Sequence, residues 1–350
     1  MYFASDNWAG AHPAVARALN EAASGFDPAY GSGEWDQRAA QSFKDIFEKD
    51  VAVFFVGTGS AANALALASI ARPGGVAFCH SEAHVAEDEC GAPEYFSGGG
   101  RLHPVRGAVG KMDPDLLKAA IGRFPPGFVH AGQPAAVTVT QATEVGAVYA
   151  LDEIARISEI AKENGLPLHM DGARFANALV ALGATPAEMT WKSGVDILSF
   201  GGTKNGCWCA EAIVLFDPSR AADFAFYHKR AAQLFSKSRF IAAQFEAYFA
   251  DGLWLRSARR ANETAAQLGA ALLASNRARL AWPVEANEVF AVMPSALAAR
   301  LRGAGAQFYA WQTPRSYDEP LQKDEELCRF VTSFATTDDH IAEFAEALRR

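Results

Sequence analysis

Leu166-Pro167-Leu168-His169-Met170-Asp171-Gly172-Ala173-Arg174, followed by the run Phe175 to Leu182, is the stretch that decides the fold. Its first half is a short apolar strand ending in an aspartate. Its second half opens on glycine and continues as a helix. A buried strand that hands over to a helix is the repeating unit of an α/β sheet. In open sheets of that kind ligands bind at the carboxyl ends of the strands, which is where Asp171 falls. Two readings of Asp171 stand. It caps the following helix, or it turns its carboxylate toward a bound group.

Downstream, Ile197-Leu198-Ser199-Phe200-Gly201-Gly202-Thr203-Lys204 is a second apolar strand that runs into glycines and stops at one lysine. A lysine at a strand end inside a cleft loses water, lowers its pKa and can form a Schiff base. The next residues, Asn205-Gly206, are a favoured hairpin dipeptide, so Lys204 taken alone reads equally well as a surface residue beside a tight turn. An aspartate at one strand end and a lysine at a later one form the pair that pyridoxal phosphate requires: a covalent anchor, and a partner that keeps the pyridine nitrogen protonated. Arg174 then meets the ring hydroxyl or a substrate carboxylate, or forms an ordinary ion pair on its helix. Upstream, Val51 to Val56 meets Gly57-Thr58-Gly59-Ser60 and an alanine-rich helix. Free backbone N–H groups and small hydroxyls at a helix start suit a phosphate, although such residues also serve as plain turn chemistry. The pattern is neither GxxxxGK[ST] nor GxGxxG. The order of phosphate loop, Asp strand and Lys strand carries the weight.

With these stretches the chain resembles the threonine aldolase family among the fold-type-I enzymes that depend on pyridoxal phosphate. The matching residues are Ser5-Asp6-Asn7, Tyr30-Gly31, Thr58-Gly59-Ser60, Ser81-Glu82-Ala83-His84, His169 to Arg174, Ser199 to Lys204, and Cys328 to Thr332. They fall in family order from end to end. The resemblance implies that Lys204 bonds the cofactor, Asp171 pairs with its pyridine nitrogen and Arg174 approaches the ring oxygen. It gives the phosphate to Thr58, Gly59 and Ser60, and the ring face to His84, which also takes part in proton transfer. Ser5 and Arg329 bind the substrate carboxylate, together with Arg174. Arg239 and Tyr30 are expected to reach a neighbouring subunit's site, so a homodimer or homotetramer with shared active sites is implied. The reaction implied is cleavage of L-threonine, L-allo-threonine or relatives such as phenylserine to glycine and an aldehyde. β-Elimination or transamination on the same scaffold stands as an alternative, and so does a non-catalytic α/β protein binding a phosphorylated ligand.

One departure concerns the base. Where many threonine aldolases carry Glu-Asn-Thr-His, this chain has Thr138-Val139-Thr140-Gln141, which sets Gln141 in place of the usual second histidine. A glutamine amide does not titrate near neutral pH, so the group that takes the β-hydroxyl proton stays open.

Composition excludes other classes. Half of the 350 residues are apolar, about a fifth are charged and the net charge is −8, with no basic block to engage nucleic acid. No stretch has membrane-spanning length, and the start carries no basic segment followed by an apolar core, so a cytoplasmic protein is expected. Five cysteines suit a reduced compartment. Cys207 and Cys209 have no nearby His or Cys pair to complete a metal site, and His169 and His103 read as core or surface residues.

The organisation is alternating. Helices are predicted at 13–23, 37–49, 116–123 and 151–164, and strands at 51–56, 128–130 and 166–170; a long helical stretch runs from Phe224 to Ala250. A mostly parallel sheet with helices on both faces follows. The large cofactor-binding domain is expected over 1–245 and a smaller α+β domain over 246–350. The latter has strands near 287–293, 306–311 and 328–334 and helices at 294–302 and 338–348.

Overall fold

The computed structural model describes residues 1–317 and 319–350. Its larger sheet has seven strands: β1 (Ala52–Val56), β2 (Gly75–His80), β3 (Arg101–Val105), β4 (Gln133–Thr140), β5 (Leu168–Gly172), β6 (Ile197–Gly201) and β7 (Glu211–Leu215). They lie in the order β1-β7-β6-β5-β4-β2-β3, and β7 alone runs against the others. This is the mostly parallel α/β sheet expected of a fold-type-I enzyme. The strands β2, β5, β6 and β7 are buried along their whole length. Continuous apolar runs such as Ala212 to Leu215 are therefore needed, because helices cover both faces.

The two-residue period of a strand sorts these side chains. Ile197, Ile213 and Leu215 pack with Ala62, Leu65 and Phe224 on one face. Leu198, Phe200, Ala212 and Val214 pack on the other with Phe43, Phe175 and Phe245. On the first face lies the helix Gly59–Ile70, apolar all round and almost entirely buried, which suits a central helix. On the second face Phe200 sits in an aromatic cluster, with ring centroids 5.2 Å from Phe43 and 5.2 Å from Phe175. His169 is wholly buried between β4 and β6. Its Nδ1 meets Thr138 Oγ1 at 2.8 Å and its Nε2 meets Ser199 Oγ at 2.9 Å, and burial lowers its pKa to about 4.

The second sheet is antiparallel, in the order β10-β11-β9-β8, from β8 (Arg279–Leu280), β9 (Glu288–Pro294), β10 (Tyr309–Ala310) and β11 (Glu325–Val331). It packs on the helices Leu253–Ala274, Ser295–Gly303 and Asp338–Arg349 around a core of its own. Phe3, from the start of the chain, joins that core against Phe330 and Phe344.

Four expected elements differ. The segment 128–130 is an exposed turn rather than a strand, because Gln133 Oε1 accepts the Gly127 N–H and closes a loop; the strand begins at Gln133. The long helix from Phe224 to Ala250 is two helices, Ala221–Arg230 and Arg239–Phe249. Between them the chain turns back over β1: Gln233 Oε1 accepts the Gly57 N–H at 3.1 Å, and a Cβ on Gly57 would stand 3.2 Å from the Phe235 ring. The strand expected at 306–311 shrinks to Tyr309–Ala310, and the one expected at 328–334 lies at Glu325–Val331.

Because Phe200 is completely buried, Phe200→Ala is expected to cost about 3–5 kcal/mol of stability through lost contacts and the cavity left behind. Urea unfolding followed by circular dichroism measures it; a loss under about 1 kcal/mol would mean that this core closes around the gap.

Candidate active site

The carboxyl ends of β1, β4, β5 and β6 and the start of β7 open onto a cavity of about 300 Å³. Thr58, Gly59, Ser60, His84, Asp171, Arg174 and Lys204 all line it. Seven residues drawn from segments far apart in the chain thus meet in one cavity.

Lys204 lies in a short helical turn, Thr203–Asn205, just past β6. The turn is not the solvent-facing hairpin that Asn205-Gly206 allowed. Asn205 is buried, and its Nδ2 donates to Tyr248 Oη at 2.6 Å and to the Trp254 carbonyl at 2.8 Å. Those bonds hold the turn inward. Burial and the nearby Arg174 charge push the Lys204 pKa down, against the pull of Asp6, Asp171 and Glu288. A lysine with a lowered pKa spends more time as the free amine that attacks a carbonyl.

Asp171 lines the cavity and does not cap the helix Phe175–Leu182, whose N-cap is Arg174 with no side-chain capping bond. Its Oδ1 accepts the Ala173 N–H at 2.9 Å, and its Oδ2 accepts from Asn63 Nδ2 at 2.7 Å. Asn63 Nδ2 also donates to Glu89 Oε1 at 2.8 Å, and the same oxygen meets His84 Nδ1 at 2.9 Å. The Glu89 hydrogen bond outweighs burial and raises the His84 pKa. At the other end of the cavity Thr58 caps the helix Gly59–Ile70 by accepting the Ala61 N–H at 3.2 Å. Among the described residues the Gly59 and Ser60 amides have no acceptor, and a Cβ on Gly59 would meet only open space. First-turn amides of this kind form an anion site.

Arg174 lines the cavity but is firmly held. Its Nε donates to Asp6 Oδ2 at 2.8 Å, its Nη2 to Asp6 Oδ1 at 3.1 Å, and its Nη1 stands 3.3 Å from Glu288 Oε2. Burial pushes the Asp6 carboxyl up, but the charges of Arg174 and Lys204 and the bonds from Arg174 and Asn287 outweigh it and hold it below the ordinary range. Arg329 lies behind this pair. Its Nε donates to Glu288 Oε1 at 3.0 Å and its guanidinium stacks 4.4 Å above the Trp311 ring.

Four expected site residues stand apart from the cavity lining. Ser5 turns its hydroxyl to the Asn7 N–H at 3.1 Å, while Asn7 itself lines the cavity. Arg329 is the second. Tyr30 is exposed under Lys229, and Arg239 reaches the Gly25 carbonyl at 3.4 Å on the surface. Gln141 requires a correction. It is wholly buried and faces the core rather than the cavity: its Nε2 donates to the Tyr149 carbonyl and its Oε1 accepts the Tyr149 N–H, both at 2.9 Å. The residues from this loop that do line the cavity are Ala142 and Glu144. Sequence reasoning also missed Asn63, Asp6, Glu89, Glu288 and Glu211. The last lines the cavity at the start of β7, with burial raising its carboxyl to about 7. Acids at strand ends were the available signal. Cys209 is half-buried and lines the cavity; Cys207 is buried.

The residues fit pyridoxal phosphate. A lysine of lowered pKa, a carboxylate held by its own hydrogen bonds, an imidazole and an anion-binding helix start share one cavity. The family model described as beta-eliminating lyase matches residues 2–296. The low specificity L-threonine aldolase of Pseudomonas sp. (strain NCIMB 10558) is 43% identical over 348 residues, 99% of this chain and 96% of that protein. The chain belongs to this family, on its threonine aldolase side. The low specificity L-threonine aldolase of Pseudomonas aeruginosa is 44% identical over 94% of this chain and 96% of its own. The solved threonine aldolase of Leishmania major superposes with a TM-score of 0.92 at 27% identity, over 100% of this chain and 98% of that one. Threonine aldolases and the beta-eliminating lyase family depend on pyridoxal phosphate. No helix among the described residues is long and apolar enough to cross a membrane.

The depressed Asp6 pKa carries a pH signature. Its contribution to stability is present above the unfolded value and is lost as pH falls through the folded one. Asp6→Asn, which leaves Arg174 half-paired, is expected to cost about 3–5 kcal/mol at pH 7. The gap between variant and parent in denaturant midpoint should narrow as pH drops below 3.8, the ordinary carboxyl value. A gap independent of pH would show that the ion pair adds nothing.

Proposed function

We propose that this chain is a pyridoxal-phosphate-dependent aldolase that cleaves L-threonine, L-allo-threonine and related β-hydroxy-α-amino acids to glycine and an aldehyde. The observation that carries the reading is Lys204, buried at a strand end with a lowered pKa in the same cavity as Asp171 and His84. The names of the Pseudomonas relatives agree with it.

When bound, pyridoxal phosphate supplies an electron sink for the pair released as Cα–Cβ breaks. Lys204 would hold it covalently, with Thr58, Gly59 and Ser60 on the phosphate, Asp171 at the pyridine nitrogen and His84 against the ring. Asn63 holds Asp171 in place, and Glu89 holds His84. Arg174, fixed between Asp6 and Glu288, keeps a positive edge toward the substrate carboxylate. Holding that carboxylate selects which Cα bond stands in line with the sink. Ser5 and Arg329 are assigned to the same carboxylate, and Arg239 and Tyr30 to a second subunit's site in a homodimer or homotetramer. The assignment of 1–245 to a cofactor-binding domain and 246–350 to a smaller one, and a cytoplasmic location, belong to this proposal too.

Purified protein saturated with cofactor should release glycine and acetaldehyde in equal amounts from L-threonine. Because the family description names β-elimination, ammonia is assayed beside them; ammonia without glycine would replace the aldolase reading. Lys204→Ala should keep its fold but lose cofactor that borohydride can fix to the chain. Asp171→Asn should bind cofactor and lose most turnover, and a near-normal rate would remove Asp171 from its role.

A further inference from the structure

Glu144 follows β4 in the loop at the carboxyl end of that strand, next in the sheet to β5 with Asp171. Its side chain belongs both to the cavity that holds Lys204 and to an adjoining recess of about 420 Å³ walled by Trp311, Gln312 and Arg315. One carboxylate oxygen is tied down: Oε1 accepts the His84 N–H and the Thr140 hydroxyl, each at 2.8 Å. The other, Oε2, is sealed from solvent and has no partner, although the residue as a whole is only half-buried. A carboxylate oxygen without a donor in a closed site lacks a proton or a hydrogen bond that its surroundings should supply.

We propose that Glu144 is the base that takes the β-hydroxyl proton from the substrate. This inference rests on the aldolase reading and fills the role that Gln141 cannot. The substrate O–H bond breaks and its proton passes to Glu144. The O–H electron pair becomes the second bond of the new aldehyde carbonyl, and the Cα–Cβ pair stays with the amino-acid carbon. That carbon takes up a proton to leave as glycine, so protons and electrons balance over the turnover.

The other titratable groups around the cavity are committed elsewhere. His84 donates from Nδ1 to Glu89, and that bond favours its charged form, which has no free ring nitrogen to accept a proton. Both oxygens of Asp171 already accept hydrogen bonds, and Glu211 lies at β7, bonded to Thr203. For Glu144, burial and the Asp171 charge outweigh the His84 amide bond and push the carboxyl up to about 7. A base whose pKa lies near the working pH combines a large ionised fraction with a strong pull on the proton. The charged and titratable groups around it are His84, Asp171 and Arg174 on the cavity side, and Tyr149 and Cys79 in the core. Across the recess they are Glu82, Glu87, Asp88 and Arg315.

The test compares parent, Glu144→Gln and His84→Asn enzymes, each loaded with cofactor. Glycine, which has no β-hydroxyl, is titrated by the cofactor absorbance, and kcat for L-threonine is followed against pH. Glu144→Gln should bind glycine within about 3-fold of the parent and lose about 100-fold or more in kcat. The parent's rise in kcat through about pH 7 should vanish in that variant and persist in His84→Asn. A separate readout is the carboxyl infrared band of the cofactor-free protein: a titration near neutrality that loses one carboxyl's amplitude in Glu144→Gln and keeps the Glu211 share supports the assignment. Three results would overturn it: near-parent kcat in Glu144→Gln, a pH limb that disappears with His84 instead, or loss of glycine binding in step with kcat. Should the parent itself release no glycine from L-threonine, the aldolase reading fails first, which is distinguishable from all three.

Discussion

A largely buried cluster of two arginines and two acids joins the parts of this molecule. Asp6 comes from the first residues of the chain, Arg174 from the end of β5, Glu288 from β9 and Arg329 from β11. Each sheet supplies one arginine, and Glu288 lies between them. Desolvating such groups is expensive, and their mutual attraction compensates only when every partner is present and well aligned. The cluster is therefore sensitive to the loss of any member. It ties the start of the chain and the second sheet to the carboxyl end of β5, the central strand of the larger sheet, and it holds Arg174 at the cavity wall with its charge already balanced.

The cavity itself follows from the sheet. Parallel strands place their carboxyl ends on one side, so loops distant in sequence deliver their residues to a common rim. What the sheet brings close, a second layer of hydrogen bonds aligns. The path Asp171–Asn63–Glu89–His84 links a carboxylate on β5 to an imidazole after β2 through one buried amide. The same logic brings Glu144 beside His84, since its Oε1 takes the His84 backbone N–H. Lys204 feels the resulting field: burial and then arginine lower its pKa while three carboxylates limit the shift.

Much of this arrangement is legible along the chain. The runs at 51–56, 166–170 and 197–201 are apolar apart from His169 and Ser199, which a sheet covered on both faces demands, and each stops at glycine or a polar residue where the rim begins. The residues Thr58, Gly59, Ser60, Asp171, Arg174 and Lys204 therefore stand out before any contact is known, whereas His84 comes from the family resemblance alone. Less legible are residues whose role is to hold another. Asn63 lies inside an alanine-rich helix, and Glu89 among several neighbouring acids, with nothing local to separate a buried carboxylate from a solvated one. Gln141 shows the reverse: a polar residue at a strand end suggests chemistry, yet both of its amide groups bond the backbone of Tyr149.

The sequence by itself determined the α/β alternation, the order of phosphate loop, aspartate strand and lysine strand, and so the cofactor. These depend on patterns within a few residues, where strand period, helix capping and glycine act locally. Only the tertiary structure decided which of two readings Lys204 takes, because the bonds that turn it inward come from Tyr248 and Trp254, far along the chain. It alone broke the helix after Arg230, since the intervening loop is held by Gly57, just past β1. And it alone turned Gln141 into the core and left Glu144 at the cavity with a free oxygen. Burial and charge at a site are sums over neighbours from every part of the fold, and no local stretch of sequence contains them.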